Sequence, residues 1–486
     1  MEKDFWTIFS AILYAANWII VIWSCFSLIG KKQDPSKTIS WVMIMILLPY
    51  IGLLLYVLFG RNFRKEYQFN KKGNGDLRYK KQLADKYISI FSNKDILPKE
   101  IAEFHKLIIL NLKSNLSIPT IDKSVEIYFS GHDAIDAMCE EMEKATLHIH
   151  LQSYIIEEDD VGNRIKEILI RKSHEGVEVR LIYDGFGAHG LSKKYLSELS
   201  NAGVELIPFS PLRPFLLRAN YRNHRKILII DGKIGFLGGV NLSDNYYNKW
   251  RDTHIKIIGQ SVDSLQSSFL LDRYFVLNKH IAKRHNYFPN FHFSPHQNST
   301  FDSNSILSQI VTSGPDSQWA SIMQCYTSAI LQAKDHIYIN TPYFVISSTM
   351  LNAIKITALS GVDVFLMIPE KSDTFISGWA TKSYVKELLI AGVNIYFFKK
   401  RFNHSKVLSF DKKFCIIGSA NIDNRSMEQN FEITSILYNA DCAIKVENQF
   451  EKDLLSCRHI TLDSWHKRPK RSRIYESIGR LVSPIM

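Results

Sequence analysis

Two pseudo-symmetric α/β domains sharing one active site, preceded by an N-terminal two-helix transmembrane hairpin, are what the sequence predicts. Three observations carry this expectation. A polar motif is written twice in the same register, strand-like and helical stretches alternate ahead of each copy, and two long uncharged stretches lie near the beginning.

The uncharged stretches come first. Phe5 to Gly30 and Ile39 to Gly60 contain no charged residue, and each exceeds the roughly 20 residues that cross a bilayer as helix. The short Lys31 to Lys37 loop between them predicts an antiparallel hairpin, with spans over about 5–30 and 39–60 within a 1–65 segment. Uncharged length this great is rare in buried helices of soluble domains. A cleaved leader is not expected, because Glu2 and Asp4 flank Lys3 and no small-x-small site precedes Lys31. Pro49 is expected to bend the second span, which membrane helices tolerate. Lys3, Arg61, Arg64, Lys65, Lys71 and Lys72 lie on one side of the hairpin, against Lys31, Lys32 and Lys37 on the other. The positive-inside tendency then places the long C-terminal part in the cytoplasm.

Beyond the hairpin, 66–123 reads as a juxtamembrane linker, 124–285 as a first domain, 286–305 as a second linker and 306–486 as a second domain. The domains repeat each other. Ala145 to Tyr154 resembles Ala333 to Tyr343 with a one-residue gap, Gly176 to Tyr183 resembles Gly361 to Ile368, and Ala202 to Ile207 resembles Ala391 to Tyr396. Helical patterns such as Asn163 to His174 and Ser383 to Ile390 lie between these strand-like runs. Such alternation predicts α/β units with a largely parallel sheet.

Each unit closes on the motif H-x-K-x4-D-x6-G-[GS]-x-N. One copy is His224, Lys226, Asp231, Gly238, Gly239 and Asn241; the other is His404, Lys406, Asp411, Gly418, Ser419 and Asn421. With each residue type used at about 5%, five matched positions recur by chance about once in 10⁶ starts. Lys226 to Asp231 and Lys406 to Asp411 are aliphatic runs ending at turn formers, and Ile234 to Leu237 and Phe414 to Ile417 read as return strands. His and Lys two apart share a strand face, and the small residues on the return strand let a ligand approach the backbone.

Two such units facing each other supply two imidazoles, two ammoniums and two carboxamides around one anionic centre. One neutral histidine can attack phosphorus covalently, and the other can pass a proton to the departing alcohol and take one from the next. Lys226, Lys406, Asn241 and Asn421 can hold the non-bridging oxygens. The arrangement requires no metal and no cofactor. Asp252 and Glu432 each lie eleven residues after the motif asparagine; as orienting carboxylates they would fix the histidine tautomers, whereas the plainer reading makes them solvated strand charges. Asp231 and Asp411 join the catalytic set by motif, although a turn-shaping role fits Asp at such positions equally.

Other signals narrow the class. The six cysteines show no metal or disulfide spacing, as expected in a reducing compartment. His285, His292 and His296 are irregularly spaced in or beside the 286–305 linker, and His148 with His150 is matched by His336 and Tyr338, so no metal site is expected at either place. The net charge of +12 calls for an anionic partner; with two anchors, an anionic membrane surface is a simpler choice than nucleic acid. The run His466 to Arg473, followed by Ile474, Ile478, Leu481 and Val482 at helical spacing, reads as a helix lying on lipid headgroups or as a solvated tail packed on the domain.

With these residues in place, the chain resembles the phospholipase D superfamily, whose signature is the duplicated motif, and within it the bacterial cardiolipin synthases. Trp41, Pro49, Gly52, Tyr56 and Gly60 look like that family's membrane segment. Arg222 to Lys226, Trp250 to Asp252, Thr341 to Tyr343, Asn421 to Ser426 and Asn430 to Glu432 look like its blocks, with no departure at the catalytic positions. The resemblance implies two phospholipase D-like domains in a multi-pass protein of the bacterial cell membrane. It implies transfer of a phosphatidyl group from one phosphatidylglycerol to another, giving cardiolipin and glycerol. It further implies His224 as nucleophile and His404 as acid and base. The rival expectation is a membrane-bound phospholipase D that releases phosphatidic acid to water.

Overall fold

A computed structural model describes residues 2–30, 35–56, 84–85, 87–89, 91–92, 99–209, 222–279, 287–289 and 305–483. At the N-terminus α1 (Glu2–Gly30) is followed by α2 (Pro35–Leu47) and α3 (Pro49–Leu55). The expected bend is a break. Leu48 takes φ −130° and ψ 68°, and Pro49 restarts the helix at its first turn, where the missing N–H costs nothing. Among the described residues, Phe5–Gly30 is the one helix long and apolar enough to cross a membrane, and 57–60, the end of the second expected span, lies outside them. Val21 and Leu28 of α1 bury against Trp41, Met45 and Tyr56. Gly52 permits close approach, since a Cβ there would stand 2.3 Å from the Ile44 carbonyl oxygen.

The first half contributes strands β1 (Thr120–Tyr128), β2 (His148–Ser153), β3 (Glu178–Asp184), β4 (Glu205–Phe209), β5 (Ile227–Ile230), β6 (Ile234–Gly238) and β7 (His254–Gly259). The second contributes β8 (Ile306–Ser313), β9 (His336–Asn340), β10 (Phe344–Val345), β11 (Asp363–Pro369), β12 (Asn394–Phe398), β13 (Val407–Phe410), β14 (Phe414–Gly418), β15 (Ile422–Asp423), β16 (Glu432–Tyr438) and β17 (Cys457–Ile460). All but β10 and β15, which pair with each other, form one sheet in the order β17-β12-β11-β9-β13-β14-β16-β8-β1-β7-β6-β5-β2-β3-β4.

The sheet is mixed rather than largely parallel. In it, β2–β3, β3–β4, β9–β11 and β11–β12 run parallel. Those are the strands joined by crossover helices such as α4 (Asp160–His174), which Asp159 caps by accepting from the Gly162 N–H at 3.0 Å. The hairpins β5–β6 and β13–β14 are antiparallel, and so is the centre, where β1 meets β8 with Thr120 opposite Ser308. Long-range pairings of this kind leave no trace in local alternation. The helices α5 (Ser261–Leu277), α6 (Phe375–Ser383), α7 (Ala440–Leu454) and α8 (Lys470–Val482) complete the layers that matter below. The helical pattern from Ser383 to Ile390 is split: α6 ends at Ser383 and a short helix runs from Val385 to Ile390.

The halves share a core. Leu237 and Ile255 of the first half bury in the same cluster as Ile417 and Ile433 of the second. Each such side chain contributes roughly 1.5–3 kcal/mol on burial. The 66–123 segment is likewise no free linker where it is described. A helix from His105 to Asn115 buries Leu107, Ile108 and Leu112 in the second half's core, and Asn111 Nδ2 donates to Gln309 Oε1 at 3.2 Å. Most of 286–305, with His292 and His296, lies outside the described residues, as does His285. Tyr287 is described and buried, its hydroxyl accepting from Arg180 Nη1 at 2.8 Å.

Candidate active site

Each motif is a lead-in, a strand, a tight turn and a return strand. Asp231 and Gly232 adopt φ of 53° and 66°, and Asp411 and Lys412 both adopt 54°, the left-handed pair that a two-residue hairpin turn demands. Asp231 accepts from the N–H groups of Thr146, Leu147 and His148 at 2.7–2.9 Å and from the Thr146 hydroxyl at 2.9 Å. Asp411 accepts likewise from the N–H groups of Lys334, Asp335 and His336. Both carboxylates therefore tie the far end of the hairpin to the start of the neighbouring strand. At about 3.3 Å per residue they stand roughly 16 Å from their motif lysines. This geometry takes Asp231 and Asp411 out of the reacting group and leaves them the turn-shaping role.

The lead-ins carry the histidines, and each is held by the other half. Asn223 bridges Phe431 in parallel, and Arg251 bridges Asn403 in the same way. The His224 N–H donates to the Phe431 carbonyl at 2.9 Å, and the His404 N–H donates to the Arg251 carbonyl at 2.7 Å. The next residue in each partner strand is a carboxylate. Thus Glu432 receives His224, with Oε1 3.0 Å and Oε2 3.1 Å from Nδ1. Asp252 receives His404, with Oδ2 2.6 Å from Nδ1. Both carboxylates are fully buried, so the solvated-charge reading of Asp252 and Glu432 does not describe their positions. With Nδ1 engaged, Nε2 is left on each ring for chemistry.

The lysines lie beneath. Lys226 Nζ donates to the His224 carbonyl at 2.6 Å and stands 5.3 Å from the centre of the Tyr154 ring. Lys406 Nζ reaches the His404 carbonyl and also lies 2.6 Å from His404 Nδ1. The Asn241 side-chain Oδ1 accepts from the Ile155 N–H at 3.1 Å. Among the described residues, Nδ2 of Asn241, buried beside Tyr246, is a donor with no partner in hydrogen-bonding geometry, which suits a phosphate oxygen. The likewise unpartnered Oδ1 of Asn421 is an acceptor and suits a hydroxyl. The sequence reading missed Tyr154, whose ring meets His224 edge-on at 5.0 Å, and Trp250, 5.3 Å from His404. Alignment of Tyr154 with Tyr343 in the repeat was the available signal. His148 and His150 stay apart from this site: His150 stacks on Phe269 at 4.7 Å and meets Gln266.

Burial dominates the electrostatics. It pushes His404 down to about 3, with the Lys406 charge helping and Asp252 opposing. It pushes His224 down as well, against the pull of Glu432. Lys226 falls to about 7 and Lys406 to about 8, again through burial first. Burial works to raise Asp252 and Glu432, but the neighbouring lysine and histidine charges outweigh it and hold both carboxyls below their usual range. The free site therefore presents two neutral imidazoles beside two easily deprotonated lysines. An entering phosphate anion would strengthen the proton on each lysine and draw Lys406 off His404 Nδ1.

A site with two histidines, each oriented by a carboxylate from the opposite half, defines a phosphodiester-transfer enzyme built from a duplicated half-site. Comparison with known proteins agrees. The family described as cardiolipin synthase, PLD-like domain, matches residues 138–272 and 326–454, and phospholipase D-nuclease N-terminal matches 18–61. The major cardiolipin synthase ClsA of Bacillus subtilis (strain 168) is 38% identical over 98% of this chain and 99% of its own length. A cardiolipin synthase of Oceanobacillus iheyensis is 37% identical over 94% of this chain and 95% of its own. Among solved structures, phosphatidylserine synthase of Haemophilus influenzae Rd KW20 superposes with a TM-score of 0.59 at 14% identity, covering 78% of this chain and all of that one, a likeness of fold. The chain belongs to the cardiolipin synthase family of phospholipase D-like proteins, and its enzymatic class is phosphatidyl transfer.

Proposed function

We propose that the chain makes cardiolipin from two molecules of phosphatidylglycerol through a phosphatidyl-histidine. His404 takes up a proton at Nε2 as the substrate's phosphate anion enters and offsets the burial. His224 Nε2 then attacks the phosphorus, the bond to the departing glycerol oxygen breaks, and the cationic His404 gives that oxygen its proton. The neutral His404 then takes the proton of a glycerol hydroxyl on the second phosphatidylglycerol. That oxygen attacks phosphorus and the N–P bond breaks, returning His224. Glu432 holds the His224 ring through Nδ1, and Asp252 stabilises the cationic form of His404. Lys226, Lys406, Asn241 and Asn421 bind the non-bridging oxygens, whose charge grows in the transition state. No step calls for a metal or a cofactor.

The membrane end supports a lipid acceptor. α1 spans the bilayer, and α2 with α3 is the second, Pro49-kinked pass, so the protein is multi-pass with its catalytic halves in the cytoplasm. This reading rests on the loop charges and on the packing of Trp41, Met45 and Tyr56 against α1. The hairpin keeps phosphatidylglycerol beside a site from which water must be excluded.

The observation that carries the proposal is the crossed pairing, His224 with Glu432 and His404 with Asp252, around one pair of lysines. Its test is product analysis with the full chain in phosphatidylglycerol vesicles. Cardiolipin plus glycerol is expected; phosphatidic acid plus glycerol would overturn the lipid acceptor. His404→Ala and His224→Ala should each cost about 10⁴-fold or more in turnover. A lipid adduct surviving in His224→Ala would overturn the choice of nucleophile.

A further inference from the structure

Helix α8 is amphipathic, yet it is set the wrong way round for a tail packed on a soluble domain. Its small and polar side faces the protein. A Cβ on Gly479 would stand 2.6 Å from the Ala380 nitrogen of α6. Glu476 is buried and paired with Arg468, and Arg480 Nη2 lies 2.9 Å from Glu387. The apolar side faces out: Ile474, Ile478 and Leu481, spaced i, i+4, i+7, are 60%, 47% and 75% exposed. α6 extends the same apolar surface, with Phe375 84% exposed and Ile376 52% exposed. The Trp379 ring stacks on Tyr475 at 4.7 Å and 11°, placing the aromatic pair typical of a membrane interface between the two rows. Contiguous exposed apolar surface rimmed by polar residues marks an interaction site.

Charge identifies the occupant. Lys467, Lys470, Arg471 and Arg473 are exposed around the patch. A groove of about 810 Å³ beside α8 is lined by Lys386, Arg468, Arg473 and Arg480, with Glu476 as its carboxylate. Two relays of contacts lead from the patch toward the catalytic residues. Asp373, two residues before Phe375, accepts from the Tyr343 hydroxyl at 2.5 Å. The Tyr343 ring is 6.4 Å from Phe402, which in turn is 6.0 Å from His404. At the other end Asn424, three residues after Asn421, donates through Nδ2 to the Ser483 carbonyl at 2.9 Å.

We propose that α6 and α8 form a docking face that lies in an anionic phospholipid monolayer, separate from the N-terminal helices. Ile474, Ile478, Leu481 and Phe375 enter the acyl region, the groove receives lipid phosphates, and the mouth of the site is held against the bilayer. The inference rests on the lipid-substrate reading only for the mouth's purpose.

The test uses the full chain in nanodiscs. Leu481→Cys, in a background with Cys25 and Cys457 changed to serine, carries a bimane label. Acyl-brominated lipids should quench it at least two-fold in discs containing phosphatidylglycerol, and less in discs of phosphatidylcholine alone. In parallel, Ile474→Glu with Ile478→Glu, both exposed, should lower turnover on bilayers relative to short-chain dispersed substrate by about ten-fold. Quenching reads position without reference to product, so it stands or falls independently of the catalytic reading. A label left unquenched in anionic discs, a label shielded by a second copy of the chain, or an unchanged activity ratio would each overturn the docking face.

Discussion

The two half-sites share a register and differ in detail. Around His224 the carboxylate is the longer Glu432, which also accepts from the Ser419 hydroxyl at 2.5 Å, while the Ser419 carbonyl lies 3.1 Å from Nδ1. Around His404 the carboxylate is the shorter Asp252, and the matching small residue is Gly239. A Cβ there would come 2.1 Å from Asp252 Oδ1, so serine cannot be accommodated without moving the carboxylate. Lys406 also crowds His404 Nδ1, whereas Lys226 bonds only the His224 carbonyl among the polar contacts described. A duplicated motif thus produces two unlike imidazoles: one shared between a carboxylate and a serine, one caught between a carboxylate and an ammonium. The second changes most when a phosphate arrives to claim the lysine, which suits the member that must gain and lose a proton.

The carboxylates give the largest expected effect within this comparison. Asp252→Asn should lower turnover by ~10³ and Glu432→Gln by ~10², by analogy with loss of the orienting carboxylate in other histidine sites. Ser419 gives Glu432 a second side-chain partner, whereas the second partner of Asp252 is the Thr253 N–H at 2.7 Å, and steady-state rates on phosphatidylglycerol vesicles check the order. Equal losses would break the comparison.

The lysines come next. Phosphate binding needs their protonated forms, and their folded values lie near 7 for Lys226 and 8 for Lys406. Rising pH therefore removes charge from the free site well below the ordinary lysine range. The ratio kcat/KM should fall across pH 7–9, approaching about ten-fold per pH unit for each lysine lost. A profile flat to pH 9 would show that the two ammoniums are held more firmly than their burial implies.

The smallest effect belongs to the turn residues. Asn tolerates φ near 54° and keeps one acceptor oxygen, so Asp231→Asn should cost about 1–3 kcal/mol of stability. Asp411→Asn should cost less, because the amides of Lys334 and Asp335 that it serves are exposed. In both variants turnover should stay within about three-fold, with thermal unfolding as the readout. A collapse of turnover without loss of stability would return these aspartates to the reacting group.

Local chemistry was legible along the chain. The hairpins follow from aliphatic runs ending in Asp231-Gly232 and Asp411-Lys412, because turn geometry depends on neighbours in sequence. The interruption at Pro49 follows from its missing N–H. The antiparallel centre, β1 against β8, was not legible, since nothing near Thr120 specifies Ser308. Nor was the 105–115 helix, whose apolar face finds its partners some 200 residues away. Tyr154 was marked only by its match to Tyr343 in the repeat, and with no charge it offered no chemical reason to be placed in the site.

By itself the sequence determined the list of reactive groups: two histidines, two lysines, two asparagines and two carboxylates at matched spacing. It could not decide which carboxylate serves which ring. Asp252 and His404 are 152 residues apart, and Glu432 and His224 are 208 apart. Only the joining of the halves, with Asn223 beside Phe431 and Arg251 beside Asn403, crosses the pairs. A contact at that separation is set by shared burial, since each carboxylate is removed from water and its charge must be answered by whatever the opposite half brings to it.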